Sequence, residues 1–251
     1  MYKILIQVFF LIITSQTCMA SSLSFDGLLS EPTWFKGKNV NKVAVRDGEI
    51  YVVTDKGFYF IDGIKSEPLD LTAKISLKKM EDISGIDLNY RKDEIWIKVN
   101  NSDLKALCYK RRSLTPCNGK YRSADYKDEF YPHDSIGSSS AYDVLRDKNR
   151  NILIVSIFKG ETYVYEDTEG RIEVYKPSSP SGSEGGVAIT SKYALSAPID
   201  GLVFSDLTTK QSKIFISDEI IHTIDASEDF LFVGYSNSGL YMISLEKLAS
   251  E

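Results

Sequence analysis

The chain has 251 residues, with 30 Lys and Arg against 35 Asp and Glu and a formal net charge of −5. That length allows one sizeable core or at most two small ones. The acidic balance excludes nucleic acid and anionic membrane surfaces as partners, because both demand a concentrated basic face, and a run such as Lys110–Arg112 reads as solvated turn residues.

Residues 1–20 read as a secretory signal peptide. Lys3 precedes an apolar run from Ile4 to Ile13, broken by Gln7, and Cys18–Ala20 offers a small-x-small cleavage site. A membrane anchor needs about 20 apolar residues, and this run stops at Thr14–Thr17. Cys18 also lacks the leucine three positions earlier that a lipid-anchored protein would carry. The expectation is export to the periplasm or the medium, no membrane insertion after cleavage, and a single domain over 21–251. Cleavage removes one lysine and no acid, so the mature charge becomes −6.

After the leader, Leu23 and Phe25 alternate like a short strand, which ends at Pro32–Trp34. From Asn39 the hydrophobic period is close to two. Asn41–Val45, Ile50–Val53, Phe58–Ile61 and Pro68–Thr72 form a first four-stranded meander, with turns at Arg46–Gly48 and Asp55–Gly57. The second unit runs Ile83–Leu88, Glu94–Val99 and Leu104–Tyr109, with a fourth strand near Lys120–Arg122. The third is Tyr142–Leu145, Ile152–Ser156, Thr162–Tyr165 and Arg171–Tyr175. The fourth is Val187–Ile189, Tyr193–Ser196, Leu202–Phe204 and Lys213–Ile216, preceded by a Ser- and Gly-rich stretch, Ser178–Gly186, that reads as a mobile linker. The fifth is His222–Asp225, Phe230–Tyr235 and Leu240–Ser244, with no fourth strand after it.

One hairpin underlies all five units. Phe230–Ser244 superimposes on Lys192–Asp206 without a gap, which sets Gly201 under Gly239 and Leu202 under Leu240. Glu49–Asp62 matches after a one-residue gap, Asn151–Glu166 is a looser copy, and Glu94–Tyr109 lacks the turn glycine. The anchors Tyr51, Trp96, Leu153, Ala194 and Phe232 are separated by 45, 57, 41 and 38 residues. Four-stranded propeller repeats run at about 40–45, and the long step contains an insertion, Asp125–Ser140. The fold expected is therefore all-β, a five-bladed β-propeller of four-stranded antiparallel blades. An unpaired last edge would invite aggregation, so Ser22–Leu28 is expected to complete the last blade by pairing antiparallel with Leu240–Ser244.

The hairpins at Ile50–Thr54 with Gly57–Tyr59, and at Leu231–Tyr235 with Gly239–Tyr241, resemble the two-component-regulator propeller repeat. In that repeat an aromatic, apolar, small and Thr strand turns at Gly into an apolar-Tyr strand. The resemblance implies a propeller fold and an extracytoplasmic recognition module, and it brings no catalytic residues. The chain lacks the transmembrane and signalling segments of a full sensor.

Little here reads as chemistry. The two histidines are His133 and His222, and no nucleophile elbow accompanies them. Asp147, Asn149 and Asn151 imitate the start of a calcium loop, but Ile152 and Phe158 stand where the glycine and the final acid belong, so the stretch reads as a hairpin turn. Cys108 and Cys117 remain once the leader is gone; their spacing suits a disulfide across one hairpin turn, the alternative being two free thiols. It matches no zinc pattern. Neither cofactor nor metal is expected. An alternative is glycoside hydrolysis by a carboxylate pair drawn from inner-strand acids Asp47, Asp87, Asp143 and Asp225, set against their ordinary role in turns. The preferred reading is a non-catalytic module that recognises a protein partner, as an inhibitor or immunity factor would, with a glycan as the other ligand class. The insertion would carry the contact through Tyr126, Phe130, Tyr131, His133 and Asp134, aromatic residues with polar neighbours of the kind interface hot spots use.

Overall fold

A computed structural model describes residues 23–29, 32–75, 83–89, 94–99, 106–110, 113–116, 141–147, 152–157, 162–166, 170–175, 183–198 and 201–251. They form five β-sheets. The first holds β2 (Val40–Arg46), β3 (Glu49–Thr54), β4 (Phe58–Asp62) and β5 (Leu69–Asp70); the second holds β6 (Ile83–Asn89), β7 (Glu94–Val99) and β8 (Ala106–Lys110). The third is β9 (Ala141–Asp147), β10 (Ile152–Ile157), β11 (Thr162–Glu166) and β12 (Gly170–Tyr175). The fourth is β13 (Ser183–Ile189), β14 (Tyr193–Pro198), β15 (Gly201–Asp206) and β16 (Ser212–Ile216), with β1 (Leu23–Ser24) added at its edge. The fifth is β17 (Ile221–Ala226), β18 (Phe230–Tyr235) and β19 (Leu240–Ser244).

Within each sheet, consecutive strands pair antiparallel, so the repeated hairpins of the sequence are the second and third strands of every sheet. Leu202 pairs with Phe215 as Leu240 bridges Trp34, so the aligned leucines are equivalent, although the β14–β15 and β18–β19 pairings differ by one residue in register. The stretch that imitates a calcium loop joins β9 to β10, with Asp147 directly opposite Ile152. One expectation is corrected at the fourth sheet. Ser183–Gly186 belongs to β13 and is not linker, because Gly185 lets the strand lie against Ala197 and the Ile221 carbonyl; a Cβ there would come within 2.4 Å of the Ala197 methyl.

The first strands of the sheets lie side by side. β2 packs between β6 and β17, and β13 between β17 and β9, so the first and last sheets are neighbours. Every residue of β3 is buried, since packed sheets cover both faces of an inner strand and the usual alternation disappears. Among the described residues, three apolar clusters lie between sheets. Phe25, Leu195, Phe204, Phe215, Leu231 and Tyr235 belong to one, Tyr51, Phe58, Ile95 and Ile97 to another, and Val40, Val52, Ile61 and Phe232 to the third. Each fully buried side chain of this size contributes about 1.5–3 kcal/mol.

The first- and last-sheet contact is made by an unusual device. β2 is an edge strand, and two of its outward amides are met by side chains of β17: Val43 N donates to Thr223 Oγ1 at 3.1 Å, and Val45 N to Asp225 Oδ2 at 2.7 Å. Residues two apart on a strand share a face, so Thr223 and Asp225 together satisfy donors that would otherwise be stranded at the junction.

The expected closure of the last sheet is wrong in its partner. Leu23–Ser24 does not pair with β19; it runs parallel to β16, with Leu23 opposite Phe215 and Ser24 opposite Ile216. Phe25 N then donates to Ile216 O at 2.7 Å, and the Phe25 ring is fully buried 6.2 Å from Phe215. The reason is that two open edges competed for this segment, and burial of Phe25 favours the edge beside Phe215. Residues ten further on take the last edge instead. Trp34 N donates to Leu240 O at 3.1 Å and Leu240 N to Trp34 O at 2.9 Å, an antiparallel bridge. The N-terminal segment thus straps the fourth sheet to the fifth. A short helix, α1 (Leu245–Ser250), follows β19; Ser244 caps it, Leu245 and Leu248 are buried, and Lys247 Nζ donates to Leu28 O at 2.9 Å.

Candidate functional site

Antiparallel meanders bring the second-to-third-strand turns and the connections between sheets to one end. The hydrogen bonds show it: Asp55 N donates to Asn39 O at 3.2 Å, Gly37 N to Ser238 O at 3.3 Å, and Ser238 Oγ bonds Glu219 Oε2. Along this rim Asp26 is the organiser. Its carboxylate accepts from Ser217 Oγ at 2.8 Å and from Asp218 N at 2.6 Å, and Tyr235 OH lies 3.2 Å from Ser217 Oγ. His222 Nε2 lies 3.0 Å from Ser236 Oγ, and Asp55 forms an ion pair with Lys56 at 2.9 Å.

Tyr235 is almost wholly buried, and burial pushes its phenol well above its ordinary value of 10.0, with Ser217 opposing and the charges of Asp26 and Glu219 adding. A raised folded-state value keeps the proton on the native phenol after the unfolded chain has lost its own. The stabilisation is therefore complete below about pH 10 and declines as pH rises further. Compared with Tyr235→Phe, the parent protein is expected to lose up to about 1.4 kcal/mol per pH unit above pH 10. Urea unfolding at pH 7, 10 and 11 checks this, and parallel pH dependences in the two proteins would refute it.

The inner-strand acids are placed as follows. Asp225 has Oδ2 on Val45 N and Oδ1 on Ala226 N at 2.8 Å, so its carboxylate is a junction group. Asp47 sits exposed in the β2–β3 turn with φ 51°, paired with Arg46 at 3.2 Å. Asp87 lies on β6 opposite Trp96, and Asp143 on β9 opposite Ser156. The proposed contact residues Tyr126, Phe130, Tyr131, His133 and Asp134 lie outside the described residues, as do Cys117 and the leader. Among the described residues no group of three His, Cys, Asp or Glu side chains could hold a metal ion, and no helix is long and apolar enough to cross a membrane.

Sequence reasoning missed a groove of about 380 Å³ between the N-terminal strap and the β4–β5 connection. Trp34, Phe35 and Tyr59 line it together with Lys36, Lys38, Glu67, Pro32 and Pro68. The Phe35 and Tyr59 rings meet at 4.8 Å, and Lys38 Nζ lies 5.7 Å and 5.5 Å from their centroids. Trp34 Nε1 donates to Ser66 O at 3.2 Å, which fixes the indole. The available signal was the sequence Trp34-Phe35-Lys36, which reads as a strand break until its partner is known.

No protein-family model matches the sequence. No curated protein matches it either. Among solved structures, the tricorn protease is similar over 84% of this chain and 26% of its own, with a TM-score of 0.53 and 10% identity. The extracellular domain of a hybrid two-component system from B. thetaiotaomicron matches 87% of this chain and 35% of its own, with a TM-score of 0.46 and 15% identity. PorZ, a surface component of the type-IX secretion system of Porphyromonas gingivalis, matches 82% and 25%, with a TM-score of 0.37 and 10% identity. The chain spans about a third or less of the length of each. The first of these likenesses concerns the fold alone.

Proposed function

We propose that the chain is an exported, non-catalytic binding module, a five-bladed β-propeller that recognises a protein partner through the rim described above. The five-blade count is supported by the equivalence of Gly201 and Gly239. The first lies against the backbone of Phe215, in the fourth strand of its sheet, and the second against Trp34 and Phe35. Trp34 therefore stands where a fourth strand would, at the edge of a last sheet that is already packed on the first.

The observation that carries the binding reading is how the rim's polar side chains are used. Asp26, Ser217, Glu219 and Ser238 hold turns and connections to one another, which makes a rigid frame for loops, and loops on rigid frames are where recognition is commonly placed. The insertion 125–140 joins the second sheet to the third. Alanine at Tyr126, Tyr131 and His133 together is expected to abolish capture of the partner from the periplasmic or secreted fraction. The melting temperature should stay within a few degrees, as loop residues contribute little to the core. A triple variant that captures the same partner as well as the parent would move the site elsewhere.

A disulfide between Cys108 and Cys117 belongs to the same proposal. Cys108 is buried on β8, and after it the chain turns back so that Tyr109 bridges Pro116 and Lys110 N donates to Thr115 O at 2.8 Å. One step further along that antiparallel register, residue 117 would face Cys108. Non-reduced mass spectrometry should find neither thiol open to alkylation, and removal of the bond should cost about 2–3 kcal/mol for so short a loop. Two alkylated cysteines would end the idea.

A further inference from the structure

We infer that the groove between the strap and the β4–β5 connection binds an acidic sugar, through described residues none of which belongs to the 125–140 insertion. The first observation is backbone strain. Phe35 has φ 58°, a left-handed conformation that a bulky residue adopts at a steric cost. Strain of this kind persists where the surroundings impose it, and it concentrates at ligand sites. Here the turn Phe35–Lys38 is closed by Lys38 N donating to Phe35 O at 2.9 Å and anchored by Gly37 N on Ser238 O at 3.3 Å. The next residue, Gly37, has φ 70°, so the turn uses glycine where a side chain is dispensable and keeps an aromatic ring where glycine would be easier.

The second observation is the chemistry of the walls. Half-buried Phe35, with Pro32 and Pro68, offers apolar and aromatic surface, and the buried Tyr59 ring lies 4.8 Å from the Phe35 ring. Lys36 and Lys38 line the groove of a chain whose net charge is −5, and Lys38 Nζ is held over both rings. Glu67 supplies a carboxylate acceptor. A matching ligand has a flat C–H face for the Phe35 ring, an anionic group for the lysines, and hydroxyl donors for Glu67. One small scaffold carries all three: a uronic acid. The groove's volume is at the lower end for ligand sites and suits a short stretch of such a chain.

Isothermal titration of the full exported protein with tetrasaccharides of polygalacturonate and of polymannuronate, and with neutral maltotetraose, tests this. At least one acidic tetrasaccharide should bind, and maltotetraose should bind about ten-fold more weakly or not at all, the size of one charge-assisted contact. Lys38→Gln should lower the acidic affinity by a similar factor with an unchanged melting temperature. Phe35→Gly should also weaken binding yet melt no lower than Phe35→Ala, because glycine releases the strain that alanine retains. Absence of binding by both acidic tetrasaccharides, equal binding of the neutral one, or parental affinity in both variants would overturn the assignment. The insertion is tested separately, since its variants change none of the groove's described lining residues.

Discussion

Trp34→Ala is expected to lower stability by about 3–5 kcal/mol, the cost of emptying a large aromatic site in a core. For a chain of this size that is a fall in melting temperature of roughly 6–20 °C. The residue does three things at once. Its backbone forms the bridge to Leu240, its ring stacks on Phe232 at 6.4 Å and 21°, and its indole N–H reaches the Ser66 carbonyl in the β4–β5 connection of the first sheet. It thus ties the fifth sheet to the first, and its loss acts on the junction that joins the two ends of the chain. Trp34→Phe should recover a large part of the deficit, because the stacking surface survives and one hydrogen bond is lost. Leu69→Ala is the control, since that side chain is 57% exposed on an edge strand. Thermal melts of the three variants decide the matter; a Trp34→Ala protein melting within 2 °C of the parent, by the same scale roughly 1 kcal/mol or less, would show that the strap is incidental.

Gly201→Ala is expected to be comparably damaging, by about 2–4 kcal/mol, through overpacking and backbone strain together. A Cβ at this position would sit 2.0 Å from the Phe215 carbonyl oxygen, and the residue has φ 153°. The nearest atoms, of Phe215 and Ile216, are all backbone of the adjacent strand, so nothing flexible can move aside. The β15–β16 pairing would have to open, and with it the edge on which β1 and Phe25 are laid. Gly27→Ala provides the contrast, since its Cβ would meet Ser24 at an ordinary 3.6 Å. Chemical denaturation of the pair should show a large shift in midpoint for the first and little for the second. Equal midpoints would mean that the close approach between β15 and β16 is not a constraint in solution.

These two residues also mark what could be read in advance. Gly201 was legible as a repeat position because it aligns with Gly239, and its demand is local: a strand that passes too close for a side chain. Trp34 was not legible. It lay outside every repeat and looked like the end of a strand, because its partner, Leu240, is 206 positions away along the chain. The groove was missed for the same reason. Lys36 and Lys38 become neighbours of Glu67 and Tyr59 only once the strap is laid on the last sheet.

The sequence by itself determined the repeated hairpins and their antiparallel order, since a period of two and a turn glycine act between residues a few positions apart. In it Ser183–Gly186 reads as linker, because the neighbours that Gly185 packs on, Ala197 and Ile221, are distant along the chain. Its hydrophobic alternation also marked Leu23 and Phe25 as a strand. What the tertiary structure decided was where that strand goes. Alternation specifies that one face must be covered and is silent on which edge covers it, or in which direction. Two edges, β16 and β19, stood open to the N-terminal segment. The choice fell to packing between distant residues: Phe25 filled the space beside Phe215, Trp34 reached Phe232, and the chain between them was left to span the two sheets.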